Sequence, residues 1–553
     1  MATSSQMKEV HGAPLDVPQA RTVAHFLLGS DTTSDSPDEA LFYDDVQSLT
    51  RLQISHKAVR LARSWRQSRW VQPGEVVVIL SPSRPDFLIA VLALHLVGCT
   101  VSPCNPLVKA DEFAGQLKLS KASKVIAATS SIELAKAGLK EAGVEEVNKH
   151  IAIFAGNVDG VPTLESFISD STDATFNPEE WNAPAAPAFI CWSSGTSGPP
   201  KALILTHRNI VANILQSDAL LGDRFNDRRA GRTDEVHIDV LPQFHAYGMI
   251  TTLVAFHTCT PRYVMERFDV NLFAQIAERR HATFSMLVPP ALLRLAKTPS
   301  ITPESLATIR SIASGAAALP QDIRDQLKQK FNIIVTDGYG CTECSPIVSA
   351  QAPKDVLAGK TGVGPIAPGM RLRIVDVATE KDVGRNEPGE IRAQGPNVFT
   401  GYLDDVANED AFDAFGFYKT GDIGVIDDDG QLRITDRAKD LIKYNGFQVS
   451  ASELEAILIS HPAISDAAVI GIYDEAHATE LPKAYVVSID SAKPSERLTQ
   501  EVLSYVNTRV ANYKKLRGGL EWIDAVPKNA SGKILRRQLR ERSQNLSPGK
   551  PDT

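Results

Sequence analysis

The sequence predicts an α/β protein with a large N-terminal domain of stacked α/β layers, which includes a small β-barrel-like part, and a small α+β C-terminal domain. Three observations support this. The chain has 553 residues, too many for one hydrophobic core. Its 43% apolar and 22% charged residues are typical of a globular protein. Short β-type runs alternate with helical runs as far as about residue 430, and the pattern then changes.

The alternation in the N-terminal part predicts parallel strands covered by helices. VVVIL at 76–80 and KVIAA at 124–128 are β-type runs, and each is followed by a helical segment. The longest apolar run, at 87–101, contains a histidine and is too short to span a bilayer comfortably. We expect a buried helix that leads into a strand there, and no membrane span. Between about 360 and 430, short runs rich in Gly, Pro and Asp predict a small antiparallel sheet or barrel.

The C-terminal part begins after DRAKD at 436–440. SASELEAILISHP predicts an amphipathic helix that opens with a capping box, formed either by Ser450 with Glu453 or by Ser452 with Glu455. DAAVIGIYD and KAYVVSI predict strands, and LTQEVLSYVNTRV predicts a second helix. Together these segments indicate an α+β unit of about a hundred residues.

Charge and cysteine content restrict the partners and the compartment. The net charge of −8 and a pI near 5.9 argue against a general nucleic-acid or anionic-membrane binder. Six cysteines in so long a chain indicate a reducing compartment, and the C-x-x-C pair Cys341 and Cys344 lacks further ligands at zinc spacing. The N-terminus has no signal-peptide pattern, and the last residues, Pro551 to Thr553, are not a Ser-Lys-Leu-type address. We therefore expect a cytoplasmic protein.

The most informative segment is CWSSGTSGPPKALILTHRN at 191–209. Ser193 to Lys201 combine glycines, whose backbone curls so that N–H groups converge on an anion, with hydroxyl donors and a lysine. A polyphosphate ligand explains this composition. A flexible Ser/Gly linker is the alternative, but AFICW before the loop and ALIL after it are apolar runs that predict strands.

This loop differs from that of nucleotide hydrolases. Gly195 and Gly198 are too close together for G-x-x-x-x-G-K-[ST], and Ala202 stands where Ser or Thr would bind magnesium. A strand, and not a helix, is predicted to follow. The loop therefore indicates another phosphate chemistry.

Five motifs occur in one order along nearly the whole chain. They are SSGTSGPPK at 193–201, DGYGCTE at 337–343, YKTGD at 418–422, DRAKDLIKYNGFQVS at 436–450 and PKNASGK at 527–533. Together they resemble the adenylate-forming superfamily of acyl- and aryl-CoA synthetases, luciferases and peptide-synthetase adenylation domains. LPQFHAYGM and LIKYNGFQVS are most similar to its 4-coumarate:CoA ligase-like members.

The resemblance implies a site for ATP and Mg²⁺. Ser193, Thr196 and Lys201 would hold the β- and γ-phosphates, and Thr342 would bind the α-phosphate. Glu343 would be the magnesium ligand, because hard cations bridge carboxylate and phosphate oxygens. The residues expected at the nucleotide are Ser193, Ser194, Gly195, Thr196, Ser197, Gly198, Lys201, Gly315, Ala316, Asp337, Gly338, Tyr339, Gly340, Thr342, Asp422, Arg437 and Lys533.

The nucleoside is expected to lie between two of these segments. By resemblance, Tyr339 would stack on adenine, with Gly315 and Ala316 on the other side of the base. Asp422 suits the ribose, since one carboxylate can accept hydrogen bonds from two neighbouring hydroxyls. Arg437 would lie nearby.

The C-terminal domain would supply a different residue for each of two steps. Lys533, in a glycine-containing turn, would be the catalytic lysine of adenylation. Lys443 and Gln448 would serve thioester formation after the domain rotates about a hinge. The expected limits are residues 1–435 for the N-terminal AMP-binding domain, 436–440 for the hinge and 441–553 for the mobile C-terminal domain.

The acid pocket departs from that expected for hydroxycinnamates. Ala313, Cys344 and Ser345 replace the lysine, alanine and glycine expected there, which favours a less phenolic acid, and Asn445 replaces a lysine near the CoA phosphates. The residues expected at the acid are His245, Tyr247, Ala313, Gly338, Cys344 and Ile347.

The implied enzyme is an AMP-forming acid–thiol ligase that uses ATP, Mg²⁺ and coenzyme A on an aryl or medium- to long-chain carboxylic acid. Two alternatives remain at the level of sequence. One is an adenylating enzyme that loads a separate carrier protein in trans or oxidises its adenylate. The other is a non-catalytic nucleotide-binding protein, which would have no use for Lys533.

Overall fold

The computed structural model describes most of the chain. It covers residues 9–19, 21–29, 39–169, 183–193, 201–229, 235–317, 319–437, 440–445, 447–475, 477, 479–489, 492–529 and 532–545. The strands in chain order are β1 (Val10–His11), β2 (Ala40–Tyr43), β3 (Ser48–Thr50), β4 (Val76–Leu80), β5 (Thr100–Cys104), β6 (Lys124–Ala127), β7 (Ile151–Ile153), β8 (Pro187–Ser193), β9 (Lys201–Thr206), β10 (His237–Asp239), β11 (Arg262–Val264), β12 (Phe284–Leu287), β13 (Ser311–Ser314), β14 (Ile334–Gly340), β15 (Ile347–Ala350), β16 (Arg371–Val375), β17 (Gly389–Gln394), β18 (Gly401–Tyr402), β19 (Tyr418–Ile426), β20 (Leu432–Arg437), β21 (Ile442–Tyr444), β22 (Phe447–Val449), β23 (Ile464–Asp474), β24 (Thr479–Ser488) and β25 (Leu520–Trp522).

Helices separate most of these strands. In chain order they are α1 (Val23–Leu28), α2 (Arg51–Ser68), α3 (Phe87–Val97), α4 (Ala110–Ser120), α5 (Ile132–Glu141), α6 (Leu164–Ser169), α7 (His207–Arg229), α8 (Ala246–Thr258), α9 (Val270–Arg280), α10 (Pro289–Lys297), α11 (Gln321–Phe331), α12 (Pro353–Leu357), α13 (Asp405–Asn408), α14 (Ala451–Ser460), α15 (Glu496–Asn507) and α16 (Arg536–Asn545).

Two large sheets form the N-terminal domain, as the alternating pattern predicts. The first has the order β18-β9-β8-β5-β4-β6-β7, and the second has the order β15-β14-β13-β12-β10-β11-β2-β3. Their central strands are parallel and buried, which explains their continuous apolar runs. The prediction of stacked α/β layers is confirmed.

The apolar run at 87–101 is the buried helix and strand that we expected. Every residue of α3 is buried, and β5 follows after the left-handed Gly98. A helix that is apolar on all sides must be covered on all sides, and α3 belongs to the largest hydrophobic core together with α2. Among the described residues, no helix is both long and apolar enough to cross a membrane.

The small β part predicted between about 360 and 430 is a five-stranded antiparallel sheet. Its order is β1-β16-β17-β19-β20. The edge strand β1 comes from the N-terminus, where Val10 pairs with Leu372. This long-range pairing has no signal in the sequence pattern. The sheet places two of the predicted site residues together, because β19 and β20 carry Asp422 and Arg437 opposite each other.

The C-terminal part combines the hairpin β21–β22 and the sheet β23-β24-β25 with helices α14 to α16. Ser450 caps α14 by accepting a hydrogen bond from the backbone N–H of Glu453. The Glu453 carboxylate instead accepts from Lys514, so only half of that capping box forms. The alternative box is wrong, because Glu455 is buried in a salt bridge with Arg536.

Candidate active site

A cavity of about 480 Å³ lies where the two large sheets, the small β sheet and the C-terminal domain meet. Most of the predicted site residues that the structure describes line its wall. They are Ser193, Lys201, His245, Tyr247, Ala313, Gly315, Ala316, Asp337, Gly338, Tyr339, Gly340, Thr342, Glu343, Ile347, Arg437 and Lys533. The remaining loop residues Ser194, Gly195, Thr196, Ser197 and Gly198 lie outside the described residues.

The ends of the phosphate loop are held by an antiparallel pair of strands. Ser193 ends β8, Lys201 begins β9, and the two residues are register partners. The backbone N–H of Lys201 also donates to Ser193 Oγ at 3.4 Å. The strands predicted on the two sides of the loop are therefore confirmed, and their end residues Ser193 and Lys201 both line the cavity.

Glu343 is held at the wall by a tyrosine that the sequence reading did not identify. The Tyr402 hydroxyl donates to Glu343 Oε1 at 2.9 Å. The Lys201 ammonium lies 4.9 Å from the centre of the Tyr402 ring, a distance at which a cation is attracted to an aromatic face. Tyr402 thus links the loop lysine to the predicted magnesium ligand.

Both carboxylate oxygens of Asp422, the predicted ribose ligand, contact protein groups in the structure. Asp422 is buried, and its Oδ2 accepts a hydrogen bond of 2.8 Å from the Tyr339 hydroxyl. Its Oδ1 lies 2.9 Å from Arg437 Nε. The Tyr339 ring is therefore fixed by its hydroxyl while it lines the cavity. At the other wall, Asp337 forms a salt bridge with Arg324.

Lys533 projects from the C-terminal domain into the same cavity. Its backbone N–H donates to Asn529 Oδ1 at 2.9 Å, and Gly532 before it has a left-handed backbone with φ of 80°. Burial is the main cause that lowers the pKa of Lys533 to about 8, and the charge of Arg437 acts in the same direction.

His245 lies at the start of α8. Its Nδ1 accepts a hydrogen bond of 3.4 Å from the backbone N–H of Tyr247, so it caps that helix. Burial, together with the charge of Lys533, lowers the pKa of His245 to about 4, which keeps the ring neutral at physiological pH. The Tyr247 ring packs against Gly315, where a Cβ atom would lie 3.1 Å from Tyr247 Cε1.

Buried amide side chains support the segment 342–347. Asn213 Nδ2 donates to the carbonyl of Ile347 at 2.9 Å, and Asn397 Nδ2 donates to that of Cys344 at 2.7 Å. Gln216 Nε2 donates to Asn397 Oδ1 at 3.0 Å. Cys344 is fully buried behind the cavity wall, and Cys341 lines the wall. Sequence reading missed these amides, although two buried polar residues spaced three apart on one helix are a usable signal.

Lys443 lies outside the cavity. It is exposed on the hairpin β21–β22, and its backbone N–H donates to Glu480 Oε2 at 2.7 Å. It pairs in register with Gln448, of which only the backbone is described. The hinge residues Ala438 and Lys439 lie outside the described residues.

The donors present fit a magnesium ion that is held mainly by its substrate. Among the described residues, no group of three or more His, Cys, Asp or Glu side chains could hold a metal by itself. Mg²⁺ often uses one or two carboxylates together with substrate phosphates and water. Glu343, which is buried beside Thr342 on the wall that Lys201 also lines, supplies such a carboxylate.

Comparison with known proteins shows the family of this chain. The AMP-binding enzyme family matches residues 31–403, and the AMP-binding enzyme C-terminal domain matches residues 453–533. 4-Coumarate–CoA ligase 3 of Oryza sativa subsp. japonica is 34% identical over 514 residues, which are 92% of this chain and 89% of that protein.

Solved structures show the same architecture. ATP-bound MatB from Rhodopseudomonas palustris has a TM-score of 0.82 at 25% identity, with 95% of this chain and 99% of that chain covered. Apo MatB, at the same identity and coverage, has a TM-score of 0.72. The resemblance to adenylate-forming enzymes that the motifs predict is confirmed, and the chain belongs to the AMP-binding enzyme family.

Proposed function

We propose that this protein is an AMP-forming carboxylate–CoA ligase that works through a bound acyl-adenylate. The observation that carries the proposal is the place of the Lys533 amine. It is buried in one cavity with Glu343, Arg437 and His245, although it comes from the other domain. A protein that only bound a nucleotide would have no need to bury a cation against these groups. This favours catalysis over the non-catalytic alternative.

In the first step, a carboxylate oxygen of the acid attacks the α-phosphorus of ATP. The bond from that phosphorus to the bridging oxygen breaks, and pyrophosphate leaves with the electron pair. Because both reactants are anions, the site must neutralise charge and hold them in line. We assign Lys201 to the outer phosphates, Thr342 to the α-phosphate, and Lys533 to the charge that develops between acid and phosphate.

Magnesium, when bound with ATP, would neutralise phosphate charge. Glu343 would hold it, and Tyr402 orients that carboxylate through its hydrogen bond to Oε1. The role of this chain is thus to place one fixed carboxylate beside the phosphates.

In the second step, the CoA sulfur loses its proton and attacks the acyl carbon, and AMP leaves. We assign this step to Lys443 and Gln448. Their hairpin lies outside the cavity while Lys533 occupies it, so the step needs a rotation of the C-terminal domain. We retain 1–435, 436–440 and 441–553 as the proposed limits of the domains and hinge.

The acid is proposed to be an aryl or a medium- to long-chain acid. Leu221, Met286, Ala313 and Ile347 make the inner end of the cavity apolar, and His245 stands near Lys533 at the reacting end. The curated relative supports an aryl acid by its name. The small Ala313 supports one less phenolic than coumarate.

We further propose a cytoplasmic location. The structure shows no disulfide among the six cysteines, all of which lie in the described part of the chain, and this is typical of proteins kept in a reducing compartment.

Pyrophosphate release tests the function. The chain would be given ATP, Mg²⁺ and a panel of aryl, cinnamic and about C6 to C16 acids, with and without CoA, and with Lys533→Met as the inactive control. Turnover that requires both an acid and CoA supports the ligase. One stoichiometric burst without CoA-dependent turnover would favour a carrier protein as acceptor. ATP binding without any pyrophosphate release would contradict the proposal.

A further inference from the structure

A charged pair is buried behind the acyl end of the cavity. Asp239 is the last residue of β10 and Arg262 is the first residue of β11, and these strands are adjacent and parallel. Their side chains are 2% and 1% exposed, and Arg262 Nη1 lies 3.8 Å from Asp239 Oδ1. That distance allows electrostatic attraction but is too long for a hydrogen bond. We call these two residues the buried pair.

The buried pair has unused hydrogen-bonding capacity. Within the described part of the chain, both carboxylate oxygens of Asp239 and the Nε and Nη2 atoms of Arg262 have no hydrogen-bond partner. Glu235, the nearby carboxylate, contacts His237 and Arg310 instead. A buried polar group without a partner destabilises the fold, and a charged group does so more strongly. A ligand group that reached the pair would therefore gain hydrogen bonds whose protein side is already desolvated.

The strand register places the buried pair at the end of the acyl pocket. Asp239, Met286, Ala313 and Thr336 are neighbours in one row across β10, β12, β13 and β14. Side chains in such a row face the same side of a sheet. Three of them line the cavity, so Asp239 faces the same side one strand spacing, about 4.8 Å, beyond Met286.

Two cavity residues separate the buried pair from the acyl pocket. Met286 is its neighbour in the row. The other is Tyr247, which also lines the cavity wall. Burial lowers the pKa of Arg262, and the charges of Asp239 and Tyr247 act in the opposite direction. Methionine has three rotatable bonds and adapts its shape readily, so a turn of Met286 would join the pair to the pocket.

We propose that the buried pair is a polar subsite for a neutral hydrogen-bonding group, such as a hydroxyl or a keto group, at the end of the acid remote from its carboxylate. This inference rests on the proposed ligase function and names its substrate class. A hydroxyl can donate to Asp239 and accept from Arg262 at the same time. A second carboxylate is disfavoured, because Asp239 repels it while Arg262 attracts it.

Matched pairs of acids test the subsite. The kcat/KM for pyrophosphate release would be measured for alkanoic acids of increasing length and for the same acids with a terminal hydroxyl or an oxo group next to the end. At the length that reaches the pair, we expect the polar acid to be favoured about tenfold or more, since sites built to bind a hydroxyl discriminate strongly against its absence. Equal or lower values for polar acids at every length would overturn the subsite.

Two kinds of variant assign the preference to the buried pair. Asp239→Leu/Arg262→Met removes both charges together, which buried ion pairs often tolerate, and should abolish or reverse the preference. Met286→Ile introduces a stiff wall and should also lower it, whereas Met286→Leu, the flexible control, should not. ATP binding by each variant checks folding. If Asp239→Leu/Arg262→Met keeps the preference for polar acids unchanged, the assignment of that preference to the buried pair is overturned. If the double variant does not fold, an unchanged preference in Met286→Ile overturns it in the same way. No turnover of any acid by the unaltered chain would instead refute the ligase proposal.

Discussion

The protonation of Lys533 should set the alkaline limit of the first half-reaction. Burial and the charge of Arg437 lower the pKa of this amine to about 8, while Asp422, Asp440 and Glu343 act in the opposite direction. The charged amine is the form that can stabilise negative charge on the reacting groups. The kcat/KM for ATP should therefore be highest below pH 8 and should fall as the pH rises through about 8.

The size of the fall follows from the pKa. At about pH 9, roughly one amine in eleven keeps its proton, so kcat/KM should be about tenfold below its plateau. Bound ATP places phosphates beside the amine and raises its pKa. The fall in kcat, which reports the complex, should therefore occur at a higher pH than the fall in kcat/KM, which reports the free protein.

The same pKa makes a prediction about stability. The pKa of Lys533 is lower in the folded chain than the ordinary value of 10.5, so between about pH 8 and 10.5 the unfolded chain binds more protons. The buried amine therefore costs the fold about 3 kcal/mol below this window. That cost is relieved as the pH rises through the window.

Initial rates of pyrophosphate release from about pH 6 to pH 10 measure the effect. Lys533→Met should lower the plateau about 10²- to 10³-fold, as the loss of one stabilising group does in other enzymes. Lys533→Arg keeps a charge that does not titrate in this range. Its plateau should be lower, but without a fall near pH 8. If kcat/KM of Lys533→Arg fell near pH 8 in the same way as that of the unaltered protein, the assignment of this alkaline fall to Lys533 would be refuted.

Three further variants separate the roles proposed for the site. Lys443→Ala should slow thioester formation in single-turnover assays and leave the rate of pyrophosphate release unchanged. Equal losses of both rates would contradict the assignment of the two steps to different faces of the C-terminal domain. Tyr402→Phe removes the hydrogen bond to Glu343, which is worth about 0.5–1.5 kcal/mol. The Mg²⁺ concentration for half-maximal rate should therefore rise severalfold. An unchanged Mg²⁺ concentration for half-maximal rate would count against the orienting role of Tyr402. Asn397→Ala leaves the Cys344 carbonyl without its donor and should lower the free energy of unfolding in urea by about 1–3 kcal/mol; no loss would show that the amides are not structural.

The sequence predicted those parts of the site that are local in the chain. The phosphate loop could be recognised because its donors and the strands on both sides of it lie within 191–209. The buried helix α3 and the cap at Ser450 were predictable for the same reason. The order of five motifs then predicted that Lys201, Glu343 and Lys533 share one cavity.

The missing parts depend on contacts between distant segments. Tyr402 reaches Glu343 across 59 residues, and Asn397 meets Gln216 across 181 residues. Neither has a local pattern, because a lone tyrosine or asparagine in a loop has many structural uses. The buried pair Asp239 and Arg262 shows the same limit, since its two residues become neighbours only through strand register.

The contacts that hold the C-terminal domain explain how one cavity could serve two steps. Lys533 occupies the cavity while Lys443, on the same domain, is exposed. Across the boundary between the domains, Lys297 donates to the carbonyl of Ile464 at 2.8 Å, and Ser452 Oγ donates to that of Thr435 at 3.2 Å. Hydrogen bonds of this kind contribute about 0.5–3 kcal/mol each.

Such contacts can be exchanged for bonds to water at small net cost. Once pyrophosphate leaves, the phosphate charge that attracts Lys533 decreases, and with it the gain from keeping a buried amine protonated. Loss of that attraction would weaken the hold of the cavity on Lys533 and so favour the proposed rotation, which would bring Lys443 to the acyl-adenylate without a second active site.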